Sequence, residues 1–350
     1  MRKIIAFVKA HPKQIFTATG VVFIAIAAYI FYREWDRISR VLTEADIGTL
    51  VVAGLLSVGS YGLFLVGFVF IHRLFGFDLP ITRLGLIGYV SATINHLIPL
   101  ASVGEYSLRV YFLKQQGYSV KDSVTVSVIH SFMHNSLLFV LFPAFAIYVL
   151  TSYQVGSTTS IILVISAIVS VVVLAVVAAT IFHQESRKKV FAVLNKVFKA
   201  LDLRITDEMH RLVDYFENAK STLKQKAPMF GLLLAIIIAE WFVTAFILEY
   251  CFQAIGYDVP LPQLMVGFIL AVSMGLFSLL PSGIGVQEGT MTLAFMALGA
   301  PFEYAFLAPI LFRALYYFLP AALSLALYWL LLKDNQPEES MDLLGNDNEL

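Results

Sequence analysis

The residues of this 350-residue chain best suited to chemistry are charged groups set inside apolar runs. Glu105 and Arg109 stand one helical turn apart and so share a helix face. Glu288 and Arg313 hold corresponding places around a second apolar stretch, and Arg313 lies too deep in its run to snorkel to a polar boundary. Ionisable groups are costly inside a bilayer and usually line a cavity or a substrate path there. Arginine offers paired donors to phosphate, and the N-terminus of a half-helix adds free N–H groups and a positive dipole end. A phosphate-bearing ligand is the occupant this pattern predicts, with Glu105, Arg109, Glu288 and Arg313 contacting head group or proton. The plainer reading of Glu105 and Arg109 is a local ion pair at a helix interface, whereas only the fold could bring Glu288 and Arg313 together. Glu240, in mid-span, is a further candidate, whereas Glu249 falls on roughly the opposite face and is assigned to the outer interface. Asn95, with His96 just before a chain break, can bond freed backbone groups or contact a head group.

His130 and His134 have the spacing of two metal ligands on a helix. The other histidines, His11, His72, His96, His183 and His210, are scattered, so the favoured reading is hydrogen-bonded histidines in a bundle, with no metal. No cofactor is expected. Gly283-Ile284-Gly285 follows no strand and lacks the third glycine of a nucleotide fingerprint. No Walker motif occurs, so ATP hydrolysis by that route is excluded. An enzyme acting on lipid-linked substrates, with Glu105 or Glu288 as general base, is the rival reading.

What positions these residues is one device used twice. Ile98-Pro99-Leu100-Ala101-Ser102-Val103-Gly104-Glu105 matches in outline Leu280-Pro281-Ser282-Gly283-Ile284-Gly285-Val286-Gln287-Glu288. Each interrupts an apolar run with Pro and Gly (Pro99 and Gly104; Pro281, Gly283 and Gly285), then places a carboxylate and opens a short apolar segment. Pro99 to Pro281 and Gly117 to Gly299 are the same 182-position offset. Paired interrupted segments in an apolar chain point to a transporter binding site.

The chain is 59% hydrophobic and 14% charged, where soluble domains carry roughly 25% charged residues. Full spans are predicted at 15–32, 47–71, 122–150, 159–182, 228–255 and 303–332, with broken units at 84–117 and 262–300. The second half of each broken unit is too short to cross alone, so each is predicted to be a re-entrant hairpin. The run 15–32 follows Arg2, Lys3, Lys9 and Lys13 and is read as an uncleaved span rather than a signal peptide. The fold class is therefore an all-α polytopic membrane protein, with about six full spans plus two re-entrant helical hairpins.

Lysine and arginine crowd the polar stretch 183–226, which places it on the cytoplasmic side with both termini. The outer loop 33–46 runs against that rule, with Arg33, Arg37 and Arg40. Counting outward, the hairpins enter from opposite sides, which makes an inverted-topology repeat. Within 183–226, Leu194, Val197, Phe198 and Leu201 follow helical spacing, so an amphipathic surface helix facing anionic lipid head groups is expected. The integral membrane domain is assigned to 1–332, and the acidic tail 333–350 reads as disordered. The zero formal net charge gives no sign of nucleic-acid binding, and the single cysteine, Cys251, excludes a disulfide within the chain.

The run from Ile94 to His130 and the Leu279–Glu288 stretch together resemble the integral-membrane, flippase domain of lysylphosphatidylglycerol synthases, found also in stand-alone proteins. Pro281, Gly283, Gly285, Glu288, Gly299 and Arg313 look like the family pattern, as do Pro99, Gly104, Glu105, Arg109 and Gly117. The resemblance covers roughly 15–332, and its usual small-residue break reads Leu-Ala-Ser-Val in the first half. In two-part members a cytosolic transferase makes an aminoacylated lipid and the membrane part moves it outward. This chain ends at Leu350 after the acidic tail, so the expectation is a member without the transferase. The resemblance implies translocation, by a flippase or scramblase in the cytoplasmic (inner) membrane, of a phospholipid, aminoacyl-lipid or polyprenyl or glycolipid carrier. A homo-oligomer or a separate lipid synthase would be the protein partner.

Overall fold

The computed structural model describes residues 35–94, 103–182, 225–278 and 283–324, with Lys189 and Leu327. Among these residues the chain is helical and carries no strand. The predicted span 15–32, the basic segment 183–224, the acidic tail, and Asn95, Pro99 and Pro281 lie outside the described residues. The helices are α1 (Trp35–Thr43), α2 (Ile47–Leu74), α3 (Ile81–Ile94), α4 (Val103–Gln115), α5 (Val120–Ser152) and α6 (Ser157–Phe182). They continue as α7 (Ala227–Ala254), α8 (Leu261–Phe277), α9 (Val286–Ala297) and α10 (Phe302–Arg313), which runs into a π-turn at Ala314–Phe318. Five helical stretches are long and apolar enough to cross a membrane: Ile47–Leu74, Val120–Ser152, Ser157–Val176, Ala227–Ala254 and Phe302–Ser324. They coincide with five of the six spans read from the sequence.

Local chemistry fixes where these helices begin and end. Asp46 caps α2 by accepting from the Gly48 and Thr49 amides, and Ser119 caps α5 by accepting from Asp122. Four helices end on glycines in the left-handed region: Gly76, Gly117, Gly256 and Gly299. At each, the next residue's amide reaches back five positions (Phe77 to His72, Tyr118 to Leu113, Tyr257 to Phe252, Ala300 to Phe295), which satisfies a carbonyl the helix leaves open. Pro260 and Pro80 then restart the chain into α8 and α3.

The two halves repeat element by element. α2 and α7 are both 28 residues long, and their terminating glycines are 180 positions apart. α3 packs on α4 and α8 on α9, so both broken units are helix pairs. At about 1.5 Å per residue, α4 and α9 reach only about 20 Å against a hydrocarbon core of about 30 Å.

α2 and α7 form the most extensive helix contact among the described residues, and they run antiparallel. The Asp46 amide at the start of α2 donates to Ala254 O at the end of α7 at 2.7 Å. Lys226 Nζ, at the start of α7, donates to Leu74 O at the end of α2 at 2.6 Å. Each helix thus lends the residue that caps its start to the open carbonyls at the end of its equivalent. Equivalent helices pointing in opposite directions are what an inverted-topology repeat requires. Between them, Gly67 lies against Leu233 and Ile236. The lipid-facing sides are apolar: Val51, Leu55, Val58, Ile161, Ile165 and Ile168 stand exposed.

Candidate functional site

The loop before α9 is built from glycines for a geometric reason. Gly283 has φ +59° and Gly285 φ +81°, and a Cβ on Gly283 would sit 2.7 Å from the Gly275 Cα of α8. That approach brings the N-terminus of α9 against the end of α8. Glu288 closes the capping box, its Oε2 accepting from the Gly285 amide at 2.7 Å. Its other oxygen pairs with Arg313 Nε. Arg313 Nη2 donates to Gln287 Oε1 at 3.1 Å, and its guanidinium lies 4.5 Å from the Tyr317 ring centroid. The Tyr317 hydroxyl is 3.2 Å from the Gln287 amide. Glu288 and Arg313 are therefore directly joined, and the carboxylate caps α9 and neutralises the arginine at once. The cation beside Glu288 belongs to the protein.

α10 widens just beyond Arg313. Leu319 N–H bonds Ala314 O, one residue further back than in an α-helix. Carbonyls near the turn find partners in other helices: Ser57 donates to Leu315 O at 3.0 Å, Tyr61 to Tyr316 O at 3.1 Å, and Tyr89 to Pro320 O at 3.0 Å. Broken backbone pairing at membrane depth persists only with such substitutes.

The first half is built differently. Arg109 is fully buried, donates from Nε to Ser91 Oγ at 3.1 Å and stacks 4.9 Å from the Phe68 ring centroid. The His72 and His130 rings pack on the same Phe68 ring. Glu105 lies in α4 one turn before Arg109, and Gly104 falls in the first turn of that helix. By sequence offset the place of Arg109 in α9 is taken by Met291, so the repeat is one of backbone and not of charge.

Between these two regions lies a third cluster. His134 Nε2 and Glu240 Oε2 are 2.6 Å apart, joining α5 to α7. Trp241 donates from Nε1 to His134 O at 3.0 Å and packs on the imidazole at 4.6 Å. Thr244 bonds Glu240 O at 2.9 Å and shares a 2.6 Å hydrogen bond with Ser60. Tyr316 lies beside that pair. His130 stands between Phe64 and Phe68, and no group of three or more metal-ligating side chains occurs among the described residues. Glu249, on the other face of α7, is half-buried and accepts from Gln253. Gln287, Tyr316, Tyr317 and Trp241 were not singled out from the sequence. The four-residue step from Arg313 to Tyr317 was the one local signal available for Tyr317.

A bundle of apolar spans with short paired helices, an inverted repeat, and buried charged clusters where the short helices meet the spans defines a multi-pass helical membrane protein. Residues 16–324 match the model of the lysylphosphatidylglycerol synthase transmembrane region, and the chain belongs to that family. Membership implies a lipid-related role in the membrane. The chain is 23% identical over 326 residues to a UPF0104 membrane protein of Methanothermobacter thermautotrophicus, covering 90% of this chain and 94% of that protein. It is 34% identical over 88 residues to a phosphatidylglycerol lysyltransferase of Staphylococcus aureus, covering 25% of this chain and 10% of that protein.

Proposed function

We propose that this protein is a lipid translocase, a flippase or scramblase that moves a phospholipid, an aminoacyl-lipid or a polyprenyl or glycolipid carrier across the cytoplasmic membrane. The observation that carries the reading is Arg313: a buried guanidinium held by Glu288 and Gln287 at the glycine-lined start of α9. A lipid phosphate competes with the Glu288 carboxylate for the same donors, so the site can open for a head group without leaving the arginine unpaired. The helix pairs α3–α4 and α8–α9 act as re-entrant hairpins entering from opposite faces. The acyl chains stay in the bilayer, and both termini lie on the cytoplasmic side. Without an ATPase, uphill movement draws on an ion gradient.

The test is reconstitution into liposomes with head-group-labelled lipids and a membrane-impermeant quencher. Lipid crossing with its chemistry unchanged supports translocation. A changed lipid by mass spectrometry would instead establish the rival reading, an enzyme acting on lipid-linked substrates.

A further inference from the structure

The geometry points to a phospholipid-binding groove on the outer side of the α2–α3 pair, which holds one acyl chain and seats the lipid phosphate on Arg73. It is separate from the Arg313–Glu288 site and stands whether or not the protein moves lipid across the membrane. α2 and α3 touch along their inner faces and part along their outer ones. A Cβ on Gly88 would stand 2.7 Å from the Phe68 ring, whereas one on Gly85 would meet nothing within 4 Å. The opening is a cavity of about 680 Å³ between Leu65, Val69 and Phe70 of α2 and Gly85, Leu86 and Tyr89 of α3. That volume falls within the roughly 300–1,000 Å³ of small-ligand sites.

Shape selects an acyl chain as the occupant. The cavity opens sideways past Val66 and Ile81, both exposed. Left void, such a groove forfeits the dispersion contacts of its walls, and what reaches it from the bilayer core is lipid chain. From Arg73 to Leu65 it runs about 12 Å along α2, close to the depth of one leaflet in a hydrocarbon core of about 30 Å. Its inner end is closed by Tyr89, whose hydroxyl donates to Pro320 O at 3.0 Å and whose ring meets that of Tyr61 at 5.5 Å. The chain therefore ends against an aromatic floor.

Charge selects the head group. Among the described lining residues Arg73 alone is charged, and it stands in the last turn of α2. Its Nη1 donates to the Asp78 carboxylate and its Nη2 to Leu79 O. Nε–H and one further N–H on each terminal nitrogen are left for a ligand, in the fork that suits a phosphate. Asp78 is 92% exposed, so its carboxylate yields readily to a competing anion. Lys226 Nζ, bonded to the neighbouring Leu74 O, sets a second positive charge at the same end. In the proposed orientation this end is cytoplasmic, where anionic lipids make the leaflet surface negative.

Native mass spectrometry of delipidated protein, titrated with phosphatidylglycerol or with diacylglycerol of the same chains, counts bound lipids one at a time. Gly85→Leu puts a side chain into open space at a helical position, so without lipid it should melt no lower than wild type. It should bind one phosphatidylglycerol fewer. Arg73→Gln should weaken that same lipid about tenfold or more, to the level of diacylglycerol. Arg313→Met should leave it in place, which tells this site from the one at α9. Asp78→Asn separates a phosphate site from a loop strap: phosphatidylglycerol affinity held or raised supports the site, and a fall overturns the role of Arg73. An unchanged lipid count in Gly85→Leu overturns the groove. So does a cross-link between Gly85→Cys and Ala25→Cys in a Cys251→Ser background, because the N-terminal span would then be the occupant. Should Gly85→Leu fail to fold, Arg73→Gln and the exposed Asp78→Asn decide. The lipid bound as expected with none crossing the membrane upholds the groove and refutes the translocase reading.

Discussion

The Glu288–Arg313 pair lends itself to a double-mutant cycle with Glu288→Gln and Arg313→Met. Glutamine keeps an oxygen that can accept from the Gly285 amide at the cap, so most of the capping contribution survives. What is lost is the charge opposite a guanidinium whose side chain is only 7% exposed. Breaking a buried pair by removing one partner costs about 3–5 kcal/mol. Glu288 is itself 21% exposed, and Gln287 and Tyr317 remain around Arg313, so the low end, about 3 kcal/mol, is expected. At roughly 2 °C per kcal/mol in a chain of this size, that is a fall of about 6 °C. Arg313→Met alone leaves a carboxylate that still caps α9 and is partly hydrated, so its fall should be smaller. The double variant should melt higher than Glu288→Gln, with a coupling of about 2 kcal/mol. Melting of the four proteins in one detergent, followed by size-exclusion recovery, measures this. Additive shifts would refute the claim that the two side chains form one electrostatic unit.

Other perturbations probe the fold and the proposed transport independently. Gly283→Ala should destabilise by at least about 1–2 kcal/mol, from the left-handed backbone and the Cβ placed 2.7 Å from the Gly275 Cα. Gly289→Ala, with open space around its Cβ, should stabilise α9 by about 0.5–1 kcal/mol; equal melting of the two would contradict the close approach. Single cysteines at Gln225 and Tyr257 in a Cys251→Ser background should label from the cytoplasm and from outside respectively, and labelling of both from one side would rule out the proposed orientation. Arg313→Ala should abolish lipid transport in liposomes and Arg313→Lys restore only part, because lysine lacks the planar fork; full activity of the alanine variant excludes phosphate binding there. The Thr49 hydroxyl, then the Gly48 amide, hold the Asp46 carboxyl below its usual range. Its folded value lies below the unfolded one, so the stabilisation is complete above the ordinary carboxylate range and fades as pH falls through the depressed value. Asp46→Asn should flatten that acid limb in a melting series.

The sequence by itself determined the class, the described spans and the doubling of the chain, because each of these is local. Apolar length sets a span, a glycine with positive φ ends a helix wherever it stands, and the offset between Gly117 and Gly299 needs no third dimension. The glycines of Gly283-Ile284-Gly285 were legible for the same reason. Direction was legible only indirectly, through the basic loop 183–226; the antiparallel course of α2 and α7 came from the Asp46–Ala254 and Lys226–Leu74 bonds. Partnership was decided by tertiary structure. Glu288 and Arg313 were both visible as buried charges, yet their pairing spans two helices, and a widened turn follows Arg313 in α10. Pro320, which has no amide to give, marks the place of that turn in the sequence, but the donors that take up the open carbonyls, Ser57, Tyr61 and Tyr89, stand more than 200 positions away along the chain. His134 and Glu240 are 106 positions apart, so although Glu240 stood out as a mid-span carboxylate, its meeting with His134 was not legible. A hydropathy pattern records which residues avoid water and not which of them meet, so the charged clusters became sites only when the helices were packed.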